Sequence, residues 1–227
     1  MRYMPTNRDW PPYFSDPYAK NAFNVGKRIA EWITTTSFKA QAGFTERGAL
    51  AAGAFRLAHE HHYAIVELFE NGRSGSALAL LRPCFEALAI GIWCRDLPAE
   101  REALITNFKE SRLTMDPQIL LVQCKNKVNK KNIEMLVKLW TISKKDLHGY
   151  AHGGYKLISS RYTAEDMPPL LAARAIRFAT QTALQATHEL AVTFDDAVTI
   201  KLVAGYFNDL GEPDPELRNL MEADDVD

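Results

Sequence analysis

Residues Ser74 to Asp96, SGSALALLRPCFEALAIGIWCRD, form the most apolar long segment of the chain. Such a run is stable in water only if other segments cover it on nearly every side, so the rest of the fold has to be arranged around it. It follows Asn71-Gly72, a helix-ending pair, and stops at Leu97-Pro98, which makes it one helix over residues 74–96. Inside it Arg82 and Glu86 carry charge, four residues apart on one helical face. Pro83 between them removes an amide donor and leaves the Ala79 carbonyl without its usual partner. A polar pair beside such a proline, in an otherwise apolar helix, marks the place to look for a site.

The flanking segments have the amphipathic pattern that such a helix needs. Residues 1–14, rich in Pro, Tyr and Trp, read as an extended arm whose Trp10, Tyr13 and Phe14 dock on a neighbouring surface. Asp16-Pro17 opens a first helix, with Asp16 as cap and Pro17 where its missing donor costs nothing. Thr45 caps a second, with Leu50, Ala54, Leu57, His61, Ile65 and Leu68 expected on its inner stripe. After Pro98, Leu104, Ile105 and Phe108 mark an outer helix, and Asp116-Pro117 repeats the cap-and-proline device. Ile133, Leu136, Val137 and Trp140 predict a short helix. Pro168-Pro169 starts a long one to about Phe194, and a shorter one spans Asp196 to Leu210. No segment alternates polar and apolar residues, so no strand is expected. The expected fold is an all-α, single-domain antiparallel helical bundle over residues 15–210 with a buried central helix, preceded by the arm and followed by an acidic tail, 211–227.

Charge and cysteine content exclude little. The 227 residues carry a net charge of -1, which gives no reason to favour a polyanionic or a polycationic partner. Locally the balance differs: Lys125 to Lys145 holds seven lysines and Glu134, whereas Asp209 to Asp227 holds eight acids and Arg218. Runs of this kind ordinarily form solvated faces and tails. Three cysteines, Cys84, Cys94 and Cys124, form no CxxC pair, and MRYMPTNRDWPPYF has no apolar stretch like that of a signal peptide. A cytoplasmic protein with no membrane partner is the expectation.

The second informative stretch is SKKDLHGYAHGGYKLISSRY, in which His148 and His152 share a helical face and Gly149, Gly153 and Gly154 permit a tight end. Leu81-Arg82-Pro83-Cys84-Phe85-Glu86-Ala87, Gly91-Ile92-Trp93 and Tyr150-Ala151-His152-Gly153-Gly154 together resemble a family of uncharacterised bacterial helical proteins over roughly residues 50–195. Those proteins carry an Arg-Pro-x-Phe-Glu helix and a later His-Gly segment. The pattern is also similar to the helical fold of HEPN domains, some of which are RNA-cleaving toxins that use an arginine and a histidine four to six positions on. That resemblance implies Arg56 stabilising phosphate charge and His61 or His62 acting on the 2'-hydroxyl or leaving group, although Leu57 stands where a polar residue is expected. His148 and His152, with His61 or His188 as third ligand, resemble the metal-binding pairs of DinB-like bundles.

Residues and resemblance together lead to three readings. In the first, Arg82, Glu86, Tyr150, His148 and His152 line an internal polar pocket for a small anion, a nucleotide or an RNA end. The alternatives are a HEPN-like ribonuclease and a metal-binding or purely structural bundle. RNA or a nucleotide, and a second copy of the chain as a homodimer, are the expected partners, and no sequence feature assigns a cofactor. Because buried polar groups gain by meeting one another, Arg82 or Glu86 is expected within hydrogen-bond reach of Tyr150 or His152.

Overall fold

Local chemistry sets the ends of the helices in the structure, a computed structural model that describes residues 10–36, 45–98, 103–109, 116–124, 130–154 and 167–210. Asp16 accepts from the Ala19 amide at 2.9 Å and Pro17 occupies the first turn, so α1 runs Pro17–Thr35. Its end is tied off by the hydroxyls of Thr34, Thr35 and Thr36, which donate to the carbonyls of Glu31 and Trp32. The expected arm is not extended up to residue 14. Pro12–Ser15 form a 3-10 turn that drives Tyr13 and Phe14 into the core, and the Tyr13 hydroxyl donates to the Phe69 carbonyl. Residues 1–9 and the acidic tail, 211–227, lie outside the described residues.

Thr45 accepts from the Gly48 amide and opens α2, Glu46–Glu70. Gly72 then takes a φ of 69°, a left-handed value that suits glycine, and the Arg73 amide reaches back to the Leu68 carbonyl at 2.7 Å. The chain reverses within three residues, so α3, Ser74–Asp96, lies antiparallel against α2. The other helices are α4, Ala103–Lys109; α5, Pro117–Gln123; α6, Lys130–Ala151; α7, Pro169–Thr193; and α8, Ala197–Asp209. Asp116 caps α5 through the amides of Gln118 and Ile119, and Asp196 caps α8 through that of Thr199. No strand occurs among the described residues.

α3 touches α2, α5, α6 and α7, and so is enclosed as its composition requires. Its length and apolarity would suffice to cross a membrane, but here it is the core helix of the bundle. α1, α2 and α7 pack side by side on one flank, α5 and α6 cover the other, and α8 lies over α7 on a small apolar cluster of Ile29, Ile33, Leu184 and Val203. Fully buried Trp93, Phe55, Phe69 and Phe85 form the bulk of the main core, each contributing roughly 1.5–3 kcal/mol of transfer free energy.

Three sequence expectations need correction. The inner stripe of α2 is Ala51, Ala52, Phe55, Ala58, His62, Ile65, Val66 and Phe69, whereas Leu57 is 44% exposed and Leu50 and Leu68 are half-buried. The alanines form a flat seam that lets α2 approach α3 closely, and a pattern read from large hydrophobes misses it. A Cβ on Gly91 of α3 would overlap the Phe55 ring, so that glycine provides the socket for one of the two phenylalanine rings of the seam. Second, α6 is one 22-residue helix carrying His148 on its last turn, because Gly149 keeps a negative φ within it and the left-handed turn comes only at Gly153. Third, α3 shares the centre with α7, which is buried over as large a share of its length despite Arg177, Thr180, Thr182, Gln185, Thr187 and Glu189.

Candidate functional site

The less buried face of α3 carries Arg82, Pro83, Glu86 and Ile90, all half-buried, and the C-terminal end of α6 passes over it. Leu147 turns into the core from α6 and Tyr150 packs half-buried against it, which leaves His148 and His152 on the adjoining, exposed side. After His152, Gly153 takes a φ of 63° and the Gly154 amide returns to the Gly149 carbonyl at 2.6 Å, closing the helix tightly.

Arg82 brings the two motifs together. Its Nε donates to Glu86 Oε1 at 2.7 Å, and its Nη1 lies 2.8 Å from His148 Nδ1 and 3.3 Å from His152 Nε2. A guanidinium has no lone pair to offer, so both of those nitrogens must accept. In this arrangement both imidazoles are therefore neutral, with the proton on Nε2 of His148 and on Nδ1 of His152. The two rings stand 4.4 Å apart, inclined at 52°. Among the described residues Tyr150 makes no hydrogen bond to this group; its phenol is held by packing. The side chains of Arg82 and Glu86 are each 25% exposed, so the cluster lies at the rim of the bundle and is not an internal pocket. The reason is geometric: the residues that seal α6 onto α3 are Leu147 and Trp140, and the charged pair flanks that seal.

No three His, Cys, Asp or Glu side chains gather as a metal site among the described residues. The histidine nitrogens that would serve as ligands both face the Arg82 guanidinium, which occupies the position a cation would take. His188 sits instead on α7 beside Glu189, with Nδ1 3.6 Å from Oε1.

The other histidines lie on α2. His59 and His62 face α7, and each Nε2 meets a threonine hydroxyl, Thr187 at 3.0 Å and Thr180 at 3.2 Å. Both hydroxyls spend their own hydrogens on carbonyls one turn back, Ala183 and Ile176, so each histidine must be the donor. Burial lowers His59 to about 4 and His62 to about 3 from the ordinary 6.5. His62 Nδ1 is buried with no hydrogen-bond partner among the described residues. Arg56, His59, Glu60, His62 and Tyr63 line one side of an open cleft of about 570 Å³, faced by Ala30 and Ile33 of α1 and Leu190 of α7. Arg56 and His62 thus border one cavity, while His61 is not part of its lining.

Sequence reasoning missed the principal buried ionic group, at the end of α3. Arg95 donates to both oxygens of Asp96 at 2.8 Å and to the Glu189 carbonyl at 3.0 Å, and its Nη2 lies 2.6 Å from Glu189 Oε2 as an ion pair rather than an aligned hydrogen bond. Gln185 donates to the other Glu189 oxygen at 2.5 Å. Burial pushes the Glu189 carboxyl up, but His188 and Arg95 more than offset it and hold the group below its ordinary value. The signal was present: Arg95-Asp96 ends the most apolar helix, and Glu189 interrupts an Ala- and Leu-rich one.

Fold and site define an all-α bundle around a core helix, with an arginine–carboxylate–dihistidine cluster at its rim. Residues 55–206 match the model of a family of unknown function, DUF6988, and because the match spans more than half of the sequence the chain belongs to that family. No curated protein and no solved structure matches it.

Proposed function

We propose that the chain binds a phosphate-bearing ligand, a nucleotide or the end of an RNA, at the cluster of Arg82, Glu86, His148 and His152. The observation that carries the reading is the tethering of Arg82. With Nε on Glu86 and Nη1 on two imidazoles, the plane of the guanidinium is fixed while, among the described residues, the two Nη2 hydrogens remain for an oxygen acceptor. The second ring nitrogen of each histidine adds an N–H donor beside it. The four side chains together are neutral, so recognition of the phosphate rests on directed donors.

Arg56, His61 and His62, the residues a HEPN-like ribonuclease would use, support that reading less. A general acid must hold a proton at working pH and release it, whereas His62 is fully buried, falls to about 3, and commits its N–H to Thr180. His61, also lowered by burial, lies outside the cleft.

NMR of the histidine rings tests the proposal. Adding inorganic phosphate, a nucleoside monophosphate or a 5'-phosphorylated RNA should shift the His148 and His152 resonances, and Arg82→Gln should abolish the shifts while leaving those of buried His62 in place. Unmoved rings, or binding indifferent to Arg82→Gln, would end the proposal.

A further inference from the structure

Along α6 the cations follow a register. Lys131, Lys138 and Lys145 recur every seven residues and His152 continues the series, with His148 four residues before it. Seven residues are nearly two helical turns, so these side chains lie within about 60° of one another around the helix axis, about 10 Å apart along it. Lys131 and Lys145 are exposed and Lys138 is half-buried. Glu134 lies in the same sector, one turn from both Lys131 and Lys138, and pairs with Lys130 at 3.7 Å. Asp146 also faces solvent next to Lys145, while Lys144 adds a further cation. From Lys131 to His152 the row spans about 30 Å and ends at the Arg82 guanidinium.

We infer that the ligand is a single-stranded nucleic acid whose terminal phosphate sits at Arg82 and whose backbone follows this row of α6. The inference rests on the phosphate-binding reading above. A single row of cations at regular spacing, ending in a fixed guanidinium, suits a linear polyanion with one distinctive end. An anionic bilayer would call for an apolar face to insert, and α6 turns its apolar face, Ile133, Leu136, Trp140 and Leu147, into the core. No exposed Trp, Tyr or Phe lies on α6 and its one exposed imidazole, His148, is held at Arg82, so no row of rings is offered for bases to stack on, and binding depends on the backbone and not on base identity.

Fluorescence anisotropy with a 5'-phosphorylated ten-nucleotide oligomer, read across salt concentrations, tests it on the full chain. Each lysine contact adds about 0.7 to the slope of log affinity against log salt, so Lys131→Gln, Lys138→Gln and Lys145→Gln together should flatten it by about 2 and weaken binding about a hundredfold at 0.1 M salt. The same triple variant should take up the nucleoside monophosphate as the wild type does, and oligomers of different base composition should bind alike. A slope unchanged in the triple variant would overturn the inference. So would a monophosphate that binds as tightly as the oligomer, or polyglutamate or anionic vesicles that bind better. Failure of the underlying reading looks different: the monophosphate would then not depend on Arg82 at all.

Discussion

Acid should unfold this protein through His59 and His62 before its carboxylates are protonated. In the folded chain burial holds the two rings at about 4 and about 3, and unfolding returns both to about 6.5. Because the folded values are depressed, the neutral rings leave stability intact above about pH 6.5, and it is lost as pH falls toward the folded values, where the unfolded chain binds more protons. Between pH 7 and 5 the folded rings stay neutral, so the loss is governed by protonation of the unfolded chain and comes to about 2 kcal/mol for each histidine. Two such groups remove roughly 4 kcal/mol, a large part of the 5–15 kcal/mol that ordinarily separates folded from unfolded domains. The depressed carboxylates, Glu189 and Asp196, lose their contributions only below their ordinary values of 4.5 and 3.8, outside this window. Urea unfolding followed by the fluorescence of buried Trp93 and Trp140, at constant ionic strength, should show the wild type falling about 2 kcal/mol further between pH 7 and 5 than His62→Gln, which keeps an amide donor for Thr180 but does not titrate. Parallel stability curves for the two proteins would refute the reasoning.

Three further outcomes are expected. Glu189→Ala removes one of the two carboxylates beside buried Arg95, leaving Asp96 and the backbone carbonyl of residue 189, and takes the acceptor from Gln185, so it should cost about 1.5–3 kcal/mol in urea unfolding, whereas Glu86→Ala, at a pair 25% exposed, should cost about 1 kcal/mol or less. Gly91→Ala forces a methyl against the Phe55 ring and should destabilise by about 1–3 kcal/mol, with a double-mutant cycle showing that Phe55→Leu recovers part of the loss. Burial pushes the thiols of Cys84 and Cys124 up to about 12 and that of Cys94 up to about 11, so a thiol reagent should find none of them reactive at neutral pH in the folded protein and all three in urea.

The bounds of α3 were legible because its sequence is marked at both ends, by Gly72 and by Leu97-Pro98. The Asp-Pro starts of α1 and α5 were equally plain. Hydropathy could not disclose the burial of α7, whose inward residues include Thr180, Thr182 and Thr187. Each of these donates its hydroxyl hydrogen to a carbonyl one turn back, on Ile176, Phe178 or Ala183, and so satisfies its own donor inside the helix. A scale that treats threonine as polar misplaces such a face. At the site, the meeting of Arg82 with His152 followed from two isolated polar motifs in apolar surroundings. Its position at the rim did not, because that depends on how far Leu147 and Trp140 pull α6 across α3, a matter of side-chain volume that spacing does not encode. The Arg95–Glu189 contact joins residues 94 positions apart, and nothing local indicates that they meet.

The fit of Phe55 against Gly91 also bears on how this chain can vary. The two positions meet across an antiparallel hairpin whose turn is only Asn71, Gly72 and Arg73, so the distances from Phe55 to the turn and from the turn to Gly91 are tied together. One residue inserted on either side would rotate the helix beyond it by about 100° and carry the ring away from its socket. Gain or loss of residues in this hairpin should therefore be confined to the turn itself or occur in compensating pairs across it. Among relatives, a larger residue at position 91 should be accompanied by a smaller one at position 55.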